Sequence, residues 1–209
     1  MVRSRDNQRQ KVYNWEDNDL KHLWDKLAKK SILTEDECEL LIVNAIRWWG
    51  RENLISKLPS TKCERKVGRG YNPNWRTTRP ERERKHFVKS VCGYKSIRVK
   101  FQTTDANYSS HYKPWANEIK LMTGWALNPM VCLHEVAHLL LNNNPKGCIR
   151  NCASHGAEFM RIYLTLMVRF TPVSMSQFMQ SARKRRIKIS GLTVEGYDIR
   201  PYSEFQKTG

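Results

Sequence analysis

The run Asn128-Pro129-Met130-Val131-Cys132-Leu133-His134-Glu135-Val136-Ala137-His138 constrains this chain more than any other stretch. Asn128 is a good N-cap and Pro129 suits the first helical position, so a helix opens here. It continues through Leu139, Leu140 and Leu141, apolar on nearly every side, and a helix of that kind is buried. Asn142-Asn143-Asn144-Pro145-Lys146-Gly147 stops it. Within it His134 and His138 fall one turn apart on one face, which lets both imidazoles reach one metal ion. Buried imidazoles and a buried carboxylate are costly unless partnered. A metal ion gives all three a reason to be there. A pair of core histidines bonded to backbone leaves Glu135 unexplained.

The chain has 209 residues, 40% of them hydrophobic and 27% charged, which is an ordinary globular composition with room for one well-buried domain. No apolar run approaches the roughly 20 residues of a membrane span, so no membrane partner is expected. The first ten residues are polar and have no apolar core, unlike a secretory signal, and the expected compartment is the cytoplasm of the cell or host. The six cysteines, Cys38, Cys63, Cys92, Cys132, Cys148 and Cys152, are then expected to be reduced thiols. Cys148 and Cys152 lie near the histidine helix, but no second pair completes a four-ligand set, so they read as free thiols in a loop.

The formal net charge is +17, and +10 of it falls within residues 61–100, where 13 basic side chains meet 3 acidic ones. An excess held in one stretch suggests a polyanionic partner, DNA or RNA. Arg76, Arg82, Arg84 and Lys85 are the candidate contacts, with Tyr71 and Trp75 interleaved as stacking groups. A solvated basic surface explains the same charges. Oligomeric state leaves no mark in the sequence.

Four regions are expected. Residues 1–60 form a helical segment packed on the core. A charged, mobile start over 1–12 precedes a helix opening at Asn14-Trp15-Glu16-Asp17, with Leu20, Leu23, Trp24 and Leu27 as its apolar stripe. Thr34 and Glu37 make a capping box for a second helix that ends near Gly50. Trp48 and Trp49 on it read as core rather than a base-stacking platform. Residues 61–93 are a basic loop region. Residues 94–171 are the core. There Tyr94–Phe101 and Asn117–Met122 alternate with period two, as strands with one face solvated. Laid as an antiparallel sheet over the histidine helix, they give an α+β fold. Ser154 caps the next helix, which buries Phe159, Ile162, Tyr163, Leu166 and Phe170. Residues 172–209 hold a last helix, about 174–186, and a hairpin around Gly191.

Catalytic zinc takes three protein ligands and keeps one position for water. Two candidates follow the helix, His155 and Glu158. His155 is favoured, because neutral imidazole is the commonest metal ligand and Gly156 permits close backbone approach. His134-Glu135-x-x-His138 followed by His155-Gly156-x-x-Phe159 resembles the SprT-like and related minimal zincin metallopeptidases. The resemblance covers about residues 94–170. It implies an α+β zincin core, Zn2+ held by His134, His138 and His155, and Glu135 as general base. It also implies a protein or peptide substrate paired with an edge strand, here Asn117–Met122. Some SprT-like relatives cut proteins attached to DNA, which suits the charge, and this chain departs from them in showing no zinc-ribbon pattern after the core. Compact zincins with a related third-ligand motif also occur in bacterial and phage proteins. In the implied mechanism zinc lowers the pKa of its water toward roughly 7, Glu135 takes the proton, and the peptide carbonyl is attacked. The other reading is a nucleic-acid-binding or phage structural protein whose zinc only holds helices together. A purely structural site closes its fourth position with a protein ligand and has no use for a free carboxylate, so Glu135 favours the enzyme.

Overall fold

The computed structural model describes residues 6–27, 32–52, 82–90, 93–103, 109–124, 126–143 and 153–190. They form an α+β fold in the order α1 (Arg9–Trp15), a π-helical turn (Glu16–Leu20), α2 (Lys21–Leu27), α3 (Glu35–Glu52), β1 (Arg82–Ser90), β2 (Gly93–Gln102), β3 (His111–Lys113), β4 (Glu118–Met122), α4 (Pro129–Asn142), α5 (Ala157–Phe170) and α6 (Met175–Lys184). Among the described residues no helix is long and apolar enough to cross a membrane.

The sheet order is β1-β2-β4-β3. β1 and β2 form an antiparallel pair running from Arg82 opposite Phe101 to Ser90 opposite Gly93. β4 pairs parallel to β2 and antiparallel to β3. The sheet is therefore mixed, which corrects the antiparallel expectation. The turn between Lys113 and Glu118 reverses the chain, with Asn117 at φ 48°. The β3–β4 hairpin then inserts its second strand beside β2. Two further expectations change. Residues 82–90 are strand rather than loop, because β2 accepts them over their whole length even though they carry no apolar alternation. β4 is an inner strand, not the edge, and all five of its residues are buried, Glu118 and Lys120 included. Glu118 is held by Lys113 Nζ at 3.0 Å and Lys100 Nζ at 3.6 Å. The strand bordering the histidine helix at the sheet's end is β3. β2 alternates as expected, burying Ile97, Val99 and Phe101.

α3 opens on the expected capping box. Glu37 N–H donates to the Thr34 hydroxyl at 3.2 Å, and Thr34 N–H donates to the Glu37 carboxylate at 2.7 Å. It runs past Gly50 to Glu52. A mid-helix glycine costs only about 1 kcal/mol, less than burying Trp48 and Trp49 returns; both are core residues, as expected. α4 opens where Asn128 Oδ1 accepts from Val131 N–H at 3.0 Å. Its Leu133, Val136, Ala137 and Leu139 pack into the core with Phe159, Ile162, Tyr163 and Leu166 of α5. The N-cap of α5 is Gly156, not Ser154. Gly156 N–H donates to Ala153 O at 2.9 Å. A Cβ at Gly156 would stand 3.1 Å from that oxygen, so the turn is built around a residue without one.

The N-terminal segment departs furthest from expectation. The helix starts at Arg9 rather than Asn14, and Val12 and Trp15 are fully buried. The Gln8 side chain anchors the start. Its Nε2 donates to His155 O at 2.7 Å and to Lys188 O at 3.1 Å, and its Oε1 accepts from Lys188 N–H at 2.9 Å. Trp15 Nε1 donates to the Ser181 hydroxyl at 2.7 Å. These bonds also explain why 187–190 is not a hairpin arm: Lys188 N–H is taken by Gln8, and Ser190 N–H donates to Ala157 O at 3.1 Å. The rest of that expected hairpin, from 191 on, lies outside the described residues. Cys38 and Cys132 are buried free thiols, while Cys63, Cys92, Cys148 and Cys152 lie outside the described residues.

Candidate metal centre

Two ring nitrogens come from one face of α4: Nε2 of His134 and Nε2 of His138 stand 3.0 Å apart. A third ring arrives from the turn before α5. His155, His134 and His138 each offer one ligand atom, and these atoms lie within 4.8 Å of one another. Phe159, one turn into α5, is the floor. Its ring centroid lies 4.5 Å from that of His138 and 5.0 Å from those of His134 and His155. Tyr163 backs His134 at 5.5 Å.

Carboxylates behind two of the rings fix which nitrogen faces inward. His134 Nδ1 bonds Glu16 Oε1 at 2.6 Å, and His155 Nδ1 bonds Asp6 Oδ2 at 2.7 Å. With Nδ1–H donated to a carboxylate, the lone pair is on Nε2, which points into the cluster. Nε2 of His155 is buried and has no partner among the described residues. Converging lone pairs repel unless a proton or cation sits among them. Zinc–nitrogen bonds of about 2.0–2.1 Å in tetrahedral geometry put ligand nitrogens roughly 3.3 Å apart. The observed separations, from 3.0 Å to at most 4.8 Å, bracket that value. The three residues therefore fit a metal ion.

Burial in this cavity works against charge on every one of these groups. Burial, and then the neighbouring His134 and His155, hold His138 well below the ordinary histidine value. Burial also lowers His155, outweighing the bond to Asp6. Burial works against charging His134 too, but the Glu16 carboxylate overcomes it and the net shift is upward. Glu135, beside His134 on α4, is pushed up to about 7 by burial, against the opposing pull of His134 and of the Tyr112 backbone N–H. Its Oε2 is buried and without a partner among the described residues. A carboxyl group poised near 7 exchanges protons at neutral pH in either direction.

Two cavities meet at Glu135. One of about 400 Å³ reaches His138, His155, Tyr112 and Asn142. The other, about 600 Å³, reaches His134, Glu16, Trp24 and Met130. Arg9, Tyr13, Ser109, Ser110 and Glu135 line both. Tyr13 borders the cluster, its ring stacked on that of His134 at 5.9 Å and tilted against that of His155 at 5.0 Å.

Of the residues singled out in the sequence, His134, Glu135, His138 and His155 come together. Glu158 does not. It sits in the first turn of α5 and pairs with Arg161 Nε at 3.1 Å. Arg82, Arg84 and Lys85 belong to β1. Arg76, Tyr71 and Trp75 lie outside the described residues. Arg183–Arg186, at the end of α6, are exposed. Sequence reasoning missed Asp6, Tyr13, Glu16 and Tyr112. Glu16 was legible only as an acidic residue near a helix start. The π-helical turn that carries it is a feature often found at functional sites, but no sequence period announces it. No family model, curated protein or solved structure matches this chain.

Proposed function

We propose that this chain is a zinc-dependent metallopeptidase with a zincin-like core of the SprT-like, minimal type. His134, His138 and His155 hold the metal, and Glu135 is the general base. One observation carries the reading: three inward-facing imidazole nitrogens adjoin a buried carboxylate with an oxygen that has no partner among the described residues, beside a cleft. Zinc bound there supplies Lewis acidity, acidifying a water and polarising a carbonyl. Glu135, its carboxylate buried beside His134, takes the proton and returns it to the departing amine. The Tyr112 backbone N–H steadies the Glu135 carboxylate from β3. β3 is the outermost strand of the described sheet at that end and borders the cleft, where an extended protein or peptide substrate can lie along it. His111–Lys113 thus takes the substrate-pairing role expected of Asn117–Met122.

A second reading rests on charge. The net +10 of residues 61–100 and the exposed run Arg183–Arg186 suit DNA or RNA, either beside the peptidase activity or as the whole function of a nucleic-acid-binding or phage structural protein with non-catalytic zinc. Glu135 favours the enzyme reading, since structural zinc gives a free carboxylate nothing to do. The test is hydrolysis of an unfolded protein such as casein by zinc-loaded protein. Activity lost on chelation and restored by zinc supports the proposal. A protein that takes up no zinc overturns it.

A further inference from the structure

We propose that the N-terminal segment, residues 6–20, is an integral part of the metal centre. Asp6 and Glu16 are positioning residues that set the rings of His155 and His134, so metal binding and docking of this segment are coupled. The inference rests on the metal reading above and adds a requirement to it. Glu16 Oε1 stands 2.6 Å from Nδ1 of His134, and Asp6 Oδ2 stands 2.7 Å from Nδ1 of His155. Both carboxylates are mostly shielded, with side-chain exposures of 15% and 22%. His155 is gripped twice by residues two apart: Asp6 takes its ring and Gln8 Nε2 takes its carbonyl at 2.7 Å. Tyr13, between them in sequence, packs its ring against both imidazoles, 5.9 Å from His134 and 5.0 Å from His155.

The partners are 118 and 149 residues apart in sequence, so these bonds exist only while the segment is docked. Docking is secured away from the histidines. Trp15 bonds Ser181, Gln8 bonds Lys188, and Asp19 pairs with Arg185. A carboxylate behind a ligating imidazole fixes its tautomer and angle and raises its basicity, and losing such a partner typically weakens metal affinity 10–100-fold. Coupling is reciprocal: if docking tightens the metal, the metal tightens docking by the same factor.

The probe is zinc alone, titrated into the full chain in competition with a chromogenic chelator. Asp6→Asn and Glu16→Gln keep shape and acceptor but lose charge, and Asp6→Ala and Glu16→Ala lose both. Asp19→Asn removes an ion pair of the same segment that does not touch a histidine. Metal-free melting curves establish that each variant folds, and hydrogen exchange of amides 9–20 is followed with and without zinc. The expected result is a loss of roughly 10–100-fold in zinc affinity for changes at Asp6 or Glu16, an affinity for Asp19→Asn within about twofold of the parent, and zinc-dependent slowing of exchange over 9–20. A merely structural role would lower metal-free melting and leave zinc affinity alone. Parent-like affinity in the Asp6 and Glu16 variants, or exchange over 9–20 indifferent to zinc, overturns this inference and leaves the peptidase reading standing. A parent that binds no zinc overturns both.

Discussion

Replacing Glu118 with glutamine tests how β3 is held beside the Glu135 carboxylate. Glu118 lies directly across from Lys113 of β3, and Lys100 of β2 approaches from the other side. Its side chain is 5% exposed, while those of Lys113 and Lys100 are 28% and 18% exposed. Burial alone would raise the Glu118 carboxyl, but the hydrogen bond from Lys113 and the charges of Lys100 and Lys113 prevail and hold it below the ordinary carboxylate value. A hydrogen bond to a charged group contributes about 1.5–3 kcal/mol. Glutamine keeps the shape and an acceptor, and both lysines can rehydrate, so the expected cost at pH 7 is about 2 kcal/mol. For a chain of this size that is a melting temperature roughly 4–8 °C lower. The folded-state value lies below the unfolded one, so the ionised group stabilises the fold above the unfolded value of 4.5 and loses that contribution as pH falls through the folded value. Melting followed by circular dichroism at pH 7, 5 and 3 should show the gap between parent and variant full at pH 7 and closing toward pH 3. An unchanged melting temperature at pH 7, or a gap as wide at pH 3 as at pH 7, would refute the charge-based reasoning.

Two further outcomes are expected. Zinc at about 100 times its dissociation constant should stabilise the parent by about 2.7 kcal/mol, a rise of roughly 5–11 °C in melting temperature; His155→Ala should abolish the rise and Glu158→Ala should keep it, and the reverse would move the third ligand to Glu158. If the basic stretch contacts nucleic acid, replacing Arg82, Arg84 and Lys85 together should weaken binding of a labelled single-stranded oligonucleotide and flatten its salt dependence without changing zinc content; no binding at low salt would reduce the stretch to a solvated surface.

What could be read in advance was local. α4 announced itself through Asn128, Pro129 and an apolar run, α3 through Thr34 and Glu37, and β2 through Ile97, Val99 and Phe101, because caps and periodicity act over a few residues. The pairing of strands did not. Glu118 and Lys120 read as a solvated face, yet hairpin insertion beside β2 buried both. The stretch Arg82–Ser90 carries no apolar period, and its strand exists through its partner β2. At the site, the histidines and Glu135 were legible because His134, Glu135 and His138 share one turn of α4. Asp6 and Glu16 were not, because Asp6 meets His155 and Glu16 meets His134 only in the folded chain, across 149 and 118 residues of sequence. A charged residue near a helix start is ordinarily explained by the helix dipole.

The most direct measurement compares the parent with Glu135→Gln, each loaded with zinc, for bound metal and for hydrolysis of the same peptide substrate. Glutamine is nearly isosteric but cannot accept the proton. The expected result is about one zinc per chain in both proteins, with hydrolysis reduced by orders of magnitude in the variant. Hydrolysis by the variant at the parent's rate, with zinc retained, would contradict the assignment of Glu135 as general base and with it the proposed mechanism.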